Sequence, residues 1–238
     1  MTAKDTAMNY VIPPPPQAAI PVAGTDKSFP VRRLWCVGRN YVEHIKEMGN
    51  DVREPPFFFA KPADAIVPDG GVSPYPSLTK DMHHEVELVV ALKSGGRNIK
   101  TENALDCVYG YGVGIDLTRR DLQFASREIK RPWEVGKAFD HSAPCGALKP
   151  ASEIGHPAKG RITLKVNGKL RQDGDLNQMI WNVPEIISKL SEMVELAAGD
   201  IILTGTPSGV AATVAGDKIE CEVEGVGTLS VTIGEPLK

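Results

Sequence analysis

Apolar and polar positions alternate over short stretches of this chain, and glycine-rich turns separate the stretches. That spacing predicts many strands and few helices. Residues 32–38, Arg-Arg-Leu-Trp-Cys-Val-Gly, read as a short strand ending at glycine. Asn40 is a plausible N-cap for a short helix over 41–48, closed by Gly49-Asn50. Residues 55–60, Pro-Pro-Phe-Phe-Phe-Ala, predict a buried extended segment leading to Lys61-Pro62. Asp69-Gly70-Gly71 is a turn. Residues 85–92 form a strand entering the core, and Gly95-Gly96 closes it. Residues 108–115 form a strand in which glycine alternates with larger side chains. Thr118 is expected to cap a helix running to about Ile129, with Asp121 at its third position. A hairpin turns at Asn167-Gly168. Residues 184–196 have helical periodicity, with Ile186, Ile187, Leu190, Met193 and Val194 on one face. A buried strand over 201–204 precedes the Gly205-Thr206-Pro207-Ser208-Gly209 loop, and 217–233 alternates as a meander.

These elements predict an α+β, β-rich fold with a few short helices. Residues 1–30 are expected to be a proline-rich N-terminal extension, carrying four consecutive prolines at 13–16. Proline runs favour extended polyproline II. Residues 31–238 are expected to be a single domain. A chain of 238 residues with 42% hydrophobic content can bury a sizeable core. Its formal net charge of -3 leaves no basic excess for nucleic acid. No apolar run approaches the ~20 residues a membrane-spanning helix needs, and the first residues lack the apolar centre of a secretory signal. Cys36, Cys107, Cys145 and Cys221 are scattered, without metal-ligand spacing, and are expected to be small core hydrophobes in a reducing cytoplasm.

Candidate chemistry begins at His83-His84-Glu85-Val86-Glu87. Glu85 and Glu87 are two apart in a strand, so their carboxylates share a face. Two carboxylates on one face beside an apolar run either sit exposed on a solvated strand edge or, if buried, repel and call for a hard divalent cation such as Mg²⁺ or Mn²⁺. Asp116, between a strand and a helix, can complete a three-oxygen cage, although taken alone helix N-terminal capping is the commoner role for an aspartate there. His44 and Glu47 lie three apart on the short helix, an arrangement for a base oriented by a carboxylate or for a surface pair. Lys137, among Gly136, Ala138 and Phe139, is expected to be partly buried and to need an anion. The 205–209 loop offers a hydroxyl and backbone N–H groups.

Six segments taken together resemble the fumarylacetoacetate hydrolase family. They are Gly38-Arg39-Asn40-Tyr41 with His44 and Glu47, Phe59-Ala60-Lys61-Pro62, His84-Glu85-Val86-Glu87-Leu88, Gly114-Ile115-Asp116-Leu117-Thr118, Lys137-Ala138-Phe139-Asp140, and Gly199-Asp200 through Thr204 to Gly209. The resemblance spans about Val31 to Ile233. It implies a mixed β-sandwich roll of the family's C-terminal-domain type, a homodimer, and Mg²⁺ or Mn²⁺ on Glu85, Glu87 and Asp116. It also implies water activation by His44 and Glu47, a catalytic Lys137, and substrate contacts from Arg39, Arg120, Gln123 and Thr206. Arg39 and the Arg119-Arg120 pair are most like the subgroup acting on fumarylpyruvate, a 2,4-diketo acid cleaved to fumarate and pyruvate in gentisate breakdown. Decarboxylation or keto–enol isomerisation of oxaloacetate on the same scaffold is the alternative.

Overall fold

The computed structural model describes residues 9–41 and 54–237. His44 and Glu47 lie outside these residues, as does the short helix expected around them beyond its first position. A mixed sheet forms the centre of the molecule. Its strands run in the order Phe57–Lys61, Arg33–Gly38, Asp200–Leu203, Val86–Leu92, Val108–Ile115, Ala143–Cys145 and Ile66–Pro68. Asp200–Leu203 pairs in parallel with Arg33–Gly38, and Ala143–Cys145 with Ile66–Pro68; the other neighbours on this path are antiparallel. A second sheet runs Lys169–Asp175, Arg161–Val166, Lys218–Val223, Gly227–Gly234 and Val72–Pro74. Leu88, Val90 and Val113 of the first sheet share one apolar cluster with Ile162, Leu164, Leu229 and Val231 of the second. The fold is therefore β-rich, as the pattern predicts, and has the sandwich-roll form that the family resemblance implies.

Every residue of Val86–Leu92 is buried. The strand alternates between two cores, as its period of two requires. Val86, Leu88, Val90 and Leu92 face the inter-sheet core. Val89 and Ala91 face a smaller one with Leu34, Ile201 and Leu203. That smaller core also takes Ile20, Val22 and Phe29 from the N-terminal part of the chain. Ala19–Pro21 and Ser28–Pro30 pair there as an antiparallel ribbon. Burying such side chains stabilises by roughly 1.5–3 kcal/mol each, enough to hold this stretch against the body.

Among the described residues four α-helices occur: α1 Arg120–Glu128, α2 Glu134–Lys137, α3 Ala151–Ile154 and α4 Val183–Met193. Two differ from expectation. Thr118 does not cap α1; Thr118–Arg119 is a strand paired with Met82–His84, and α1 starts at Arg120. Its first turn is tied down by Asp121, whose carboxylate accepts from Thr79 Oγ1 at 2.5 Å and the Lys80 N–H at 3.1 Å. α4 begins earlier and ends earlier than its apolar periodicity suggests. Asn182 and Glu185 form a reciprocal capping box, and Met193, expected on the buried face, is the last helical residue and is exposed. The Phe57–Lys61 strand also inverts its expectation: Phe57 is exposed, whereas Lys61 at its end is buried.

Candidate active site

The chain leaves one sheet and enters another at Glu85. Met82–His84 pairs with Thr118–Arg119 and Ala211–Thr213, and Val86–Leu92 belongs to the central sheet. Glu85 is the residue between. Its carbonyl accepts from the Asp116 N–H at 2.9 Å, so the two break points face each other. Glu85 and Glu87 occupy the odd positions that Val89 and Ala91 continue into the smaller core. All three acids are buried, and one carboxylate oxygen from each lies within 4.8 Å of the others. Gly205 closes the set from the opposite side, donating its N–H to Glu87 Oε2 at 2.7 Å. Its φ of 96° and the 2.7 Å at which a Cβ would meet Asn40 Cβ both require glycine there.

Two buried lysines face these acids. Lys137 Nζ lies 2.7 Å from Asp116 Oδ2, 2.8 Å from Glu85 Oε2 and 2.7 Å from Thr118 Oγ1, so all three ammonium protons are used. Burial works against the Lys137 charge, but Asp116 and Glu85 outweigh it and lift its pKa above the ordinary lysine value. Lys61 Nζ lies 2.9 Å from Asp116 Oδ1 and donates to the carbonyls of Leu117 and Lys137. The Arg120 guanidinium binds Glu85 Oε1 and donates to Gln123 Oε1 at 2.6 Å.

The three acids are not equivalent. Burial raises the Glu85 pKa, but Lys137 and Arg120 together bring it well below the ordinary carboxylate range. Burial also raises Glu87, and there the charges of Asp116 and Glu85 add to it, so Glu87 holds its proton well above the ordinary value. A divalent cation among the three oxygens reverses that balance at Glu87. A buried three-carboxylate donor set suits Mg²⁺ or Mn²⁺.

These acids form one end of a cavity of about 210 Å³, also lined by Arg39, Arg120, Gln123, Arg127, Lys137 and Thr206. That volume leaves room for a small organic acid. The structure thus brings together Glu85, Glu87, Asp116, Lys137, Arg39, Arg120, Gln123 and Thr206. Gln123 and Thr206 are buried in its wall. Gly136 permits α2 to approach α1 there; a Cβ on it would come 2.8 Å from Gln123 Cβ. Arg119 is not among the lining residues. Its guanidinium lies 4.4 Å over the Phe139 ring. Asn40 spends its carboxamide on Trp181 and Thr204: Nδ2 donates to both carbonyls at 2.9 and 2.8 Å, and Oδ1 accepts from the Trp181 N–H at 2.8 Å.

Four participants were not singled out from sequence. Lys61 stands in one of the six family segments, and a lysine closing an apolar run was its signal. Arg127 lies seven residues after Arg120 on one helix, hence on the same face. His83 lines the cavity and pairs with Asp81 at 2.9 Å. Gln172, fully buried, gave no signal. Its Oε1 faces His84 Nδ1 at 2.9 Å and accepts from the Val86 N–H at 3.1 Å, while its Nε2 donates to Thr206 Oγ1 at 2.8 Å.

A buried carboxylate triad with lysine counter-charges, set where the chain passes from a three-stranded sheet into the central one, defines the class of site. The family model for the fumarylacetoacetate hydrolase C-terminal domain matches residues 33–234, and the chain belongs to that family. Among solved structures, that of fumarylpyruvate hydrolase from Pseudomonas aeruginosa in complex with Mn²⁺ and pyruvate is 50% identical. It superposes with a TM-score of 0.93, over 95% of this chain and 100% of that one. Human mitochondrial oxaloacetate tautomerase is 39% identical over 216 residues, 88% of this chain and 98% of that protein. A fumarylpyruvate hydrolase from Ralstonia sp. is 41% identical over 181 residues, 76% of this chain and 94% of that protein. By family the chain is an enzyme of the hydrolase, decarboxylase and isomerase group.

Proposed function

We propose that this protein is a divalent-metal-dependent hydrolase that cleaves the C–C bond of a 2,4-diketo acid, with fumarylpyruvate as substrate and fumarate and pyruvate as products. The observation that carries this is the buried Glu85–Glu87–Asp116 set at one end of a cavity that also holds Arg39 and Arg127. The similarity to two fumarylpyruvate hydrolases supports it, one of them described with Mn²⁺ and pyruvate. Glu85, Glu87 and Asp116 would hold Mg²⁺ or Mn²⁺. Bound there, the ion supplies Lewis acidity toward the oxygens of a 2-oxo acid and its enolate.

The chain's own residues divide the remaining work. His44, oriented by Glu47, takes a proton from the attacking water. That water adds to the C4 carbonyl, the C3–C4 bond breaks, and its electron pair stays on C3 as the enolate of pyruvate. Protonation at C3 completes the products. Lys61 and Lys137 hold Asp116 and Glu85 in place, and Lys137 puts positive charge beside the developing enolate. Gln123 and Thr206 orient the substrate from the cavity wall, and Arg120 fixes Glu85 and Gln123 from the same helix face. A homodimer in the cytoplasm, working in gentisate breakdown, belongs to the same proposal.

A second reading, keto–enol isomerisation or decarboxylation of oxaloacetate, is favoured by the similarity to the human tautomerase. It uses the same metal set and needs no attacking water. Parallel assays with fumarylpyruvate and oxaloacetate, with Mn²⁺ or Mg²⁺ and with chelator, separate the two. The hydrolase releases pyruvate and fumarate in equal amounts, loses activity in chelator, and prefers fumarylpyruvate by at least tenfold in kcat/KM. Turnover of oxaloacetate with no loss of fumarylpyruvate overturns the first reading and leaves the second.

A further inference from the structure

We infer that Arg39 and Arg127 together form a subsite for the second carboxylate of a long dicarboxylic substrate, and that their distance from the acidic triad selects a seven-carbon diacid over a four-carbon one. This rests on the diketo-acid reading above and names the specificity of the same cavity.

Most charges in the cavity are already spent. Asp81 is hydrogen-bonded to His83 at 2.9 Å. Glu85 and Asp116 are paired with Arg120, Lys137 and Lys61. Arg120 is committed to Glu85 and Gln123. Among the described residues, neither Arg39 nor Arg127 forms an ion pair or a side-chain hydrogen bond, although both line the cavity. Arg39 leaves the end of Arg33–Gly38 with a left-handed φ of 54°, and its guanidinium lies 5.9 Å over the Phe57 ring. Arg127 is on the same face of α1 as Arg120 and Gln123. The two guanidiniums feel each other: burial lowers the Arg39 pKa, the Arg127 charge lowers it further, and Glu54 opposes both. Two like charges converging on one wall are relieved by an anion between them, and a carboxylate is the group two guanidiniums bind best.

Helix geometry sets the distance. Seven residues along α1 separate Arg127 from Arg120 by about 10.5 Å of rise, and Arg120 touches Glu85. Helix side chains lean toward the N-terminus, so the Arg127 guanidinium reaches back over part of that distance. A seven-carbon diketo diacid places its carboxylate carbons about 7.5 Å apart, from six C–C bonds of about 1.5 Å in zigzag. Oxaloacetate, with three such bonds, spans about half as much. With its 2-oxo acid end at the triad, the longer acid reaches the arginine pair and the shorter one does not.

The test uses the Mn²⁺-loaded full chain, Arg127→Met and Arg39→Met, and two paired comparisons. The first is the ratio of kcat/KM for fumarylpyruvate to that for acetylpyruvate, which lacks the distal carboxylate. The second is binding of fumarate against crotonate, the corresponding monoacid, by calorimetry. The expected result is a fall of at least tenfold in the first ratio for each variant. Fumarate affinity also falls at least tenfold, while crotonate affinity moves less than threefold. Arg127 is exposed, so its truncation does not threaten folding, and Arg127→Lys should recover part of the loss. Equal losses for both substrates, or unchanged fumarate binding in Arg127→Met, overturn the subsite. If the wild type cleaves neither diketo acid, the hydrolase reading fails, and the fumarate–crotonate comparison still decides the arginine pair.

Discussion

The Gln172 side-chain nitrogen donates to Thr206 Oγ1 at 2.8 Å, while its carbonyl oxygen, 3.1 Å from the Val86 N–H, holds the strand that carries Glu87. One buried carboxamide from the Lys169–Asp175 strand thus joins the acidic segment to the loop that closes over it. The Pro207 carbonyl takes its second N–H at 2.9 Å.

Replacing Gln172 by Leu leaves the Val86 N–H, the His84 ring nitrogen, the Thr206 hydroxyl and the Pro207 carbonyl without that partner. Each such group costs about 1–3 kcal/mol, and neighbours recover part of it. We expect a loss of about 3 kcal/mol, a fall in Tm of roughly 6–12 °C for a chain of this size, and a KM that rises more than kcat falls. Thermal melts and steady-state kinetics check this. A Tm within 2 °C of wild type would mean that the carboxamide does not hold these two segments together.

Acid should expose the anchor of α1. Burial pushes the Asp121 pKa up, but the Thr79 hydroxyl and the N–H groups of Lys80 and Leu122 outweigh it, so the folded value lies below the ordinary 3.8. A depressed carboxylate stabilises above its unfolded pKa and loses that contribution as pH falls through the folded one. Thr79→Ala removes the strongest of the lowering contacts. It should therefore lower Tm by a few degrees at pH 6 and by much less at pH 2.5, measured in the same melts. A deficit that stays constant with pH would assign the effect to packing instead.

The triad was legible because Glu85 and Glu87 obey the period of a strand, and because Asp116 ends the glycine-interleaved strand that pairs with theirs. The β-rich fold was legible for the same reason: two-residue alternation and turn chemistry are local. Most of the failures are long-range. Thr118 has the chemistry of a cap, yet its hydroxyl is claimed by Lys137, 19 residues on. Lys61 follows three phenylalanines, and only its contact with Asp116 explains why the lysine is the buried member of that run. Gln172 sits in a strand whose other residues are largely polar or exposed, and its partner His84 is 88 residues away. No local pattern encodes such a contact. Arg127 was within reach, because the helix spacing that links Arg120 to Gln123 extends to it.

The cysteines should be chemically silent in the native chain. All four are buried and free. Burial pushes the Cys145 thiol up to about 12 and raises Cys36 and Cys221 as well. Since the thiolate is the reactive form, a thiol with a pKa near 12 is ionised in only about one molecule in 10⁴ at pH 8. A disulfide reagent such as Ellman's should label fewer than one thiol per chain within minutes at pH 8 and all four after denaturation. Rapid labelling of any one in the folded chain would show that its cover opens readily.

Lys137→Met separates the structural and the chemical parts of the site. Without a metal, the substitution leaves Glu85 and Asp116 short of one counter-charge in a buried setting. Breaking such a pair costs about 3–5 kcal/mol, and the chelator-treated variant should melt roughly 6–20 °C below wild type. A divalent cation supplies positive charge to the same carboxylates. Mn²⁺ should therefore raise the variant's Tm by more than it raises that of wild type, and the variant should bind Mn²⁺ at least as tightly. Turnover should nevertheless stay about 10²-fold or more below wild type, because the charge beside the developing enolate is gone. Scanning fluorimetry with chelator and with Mn²⁺, beside a pyruvate-release assay, reads both effects in one preparation. An equal Mn²⁺ shift in the two proteins would mean that Lys137 and the metal do not compensate the same carboxylates. Near wild-type turnover would mean that Lys137 holds the site together and takes no part in its chemistry.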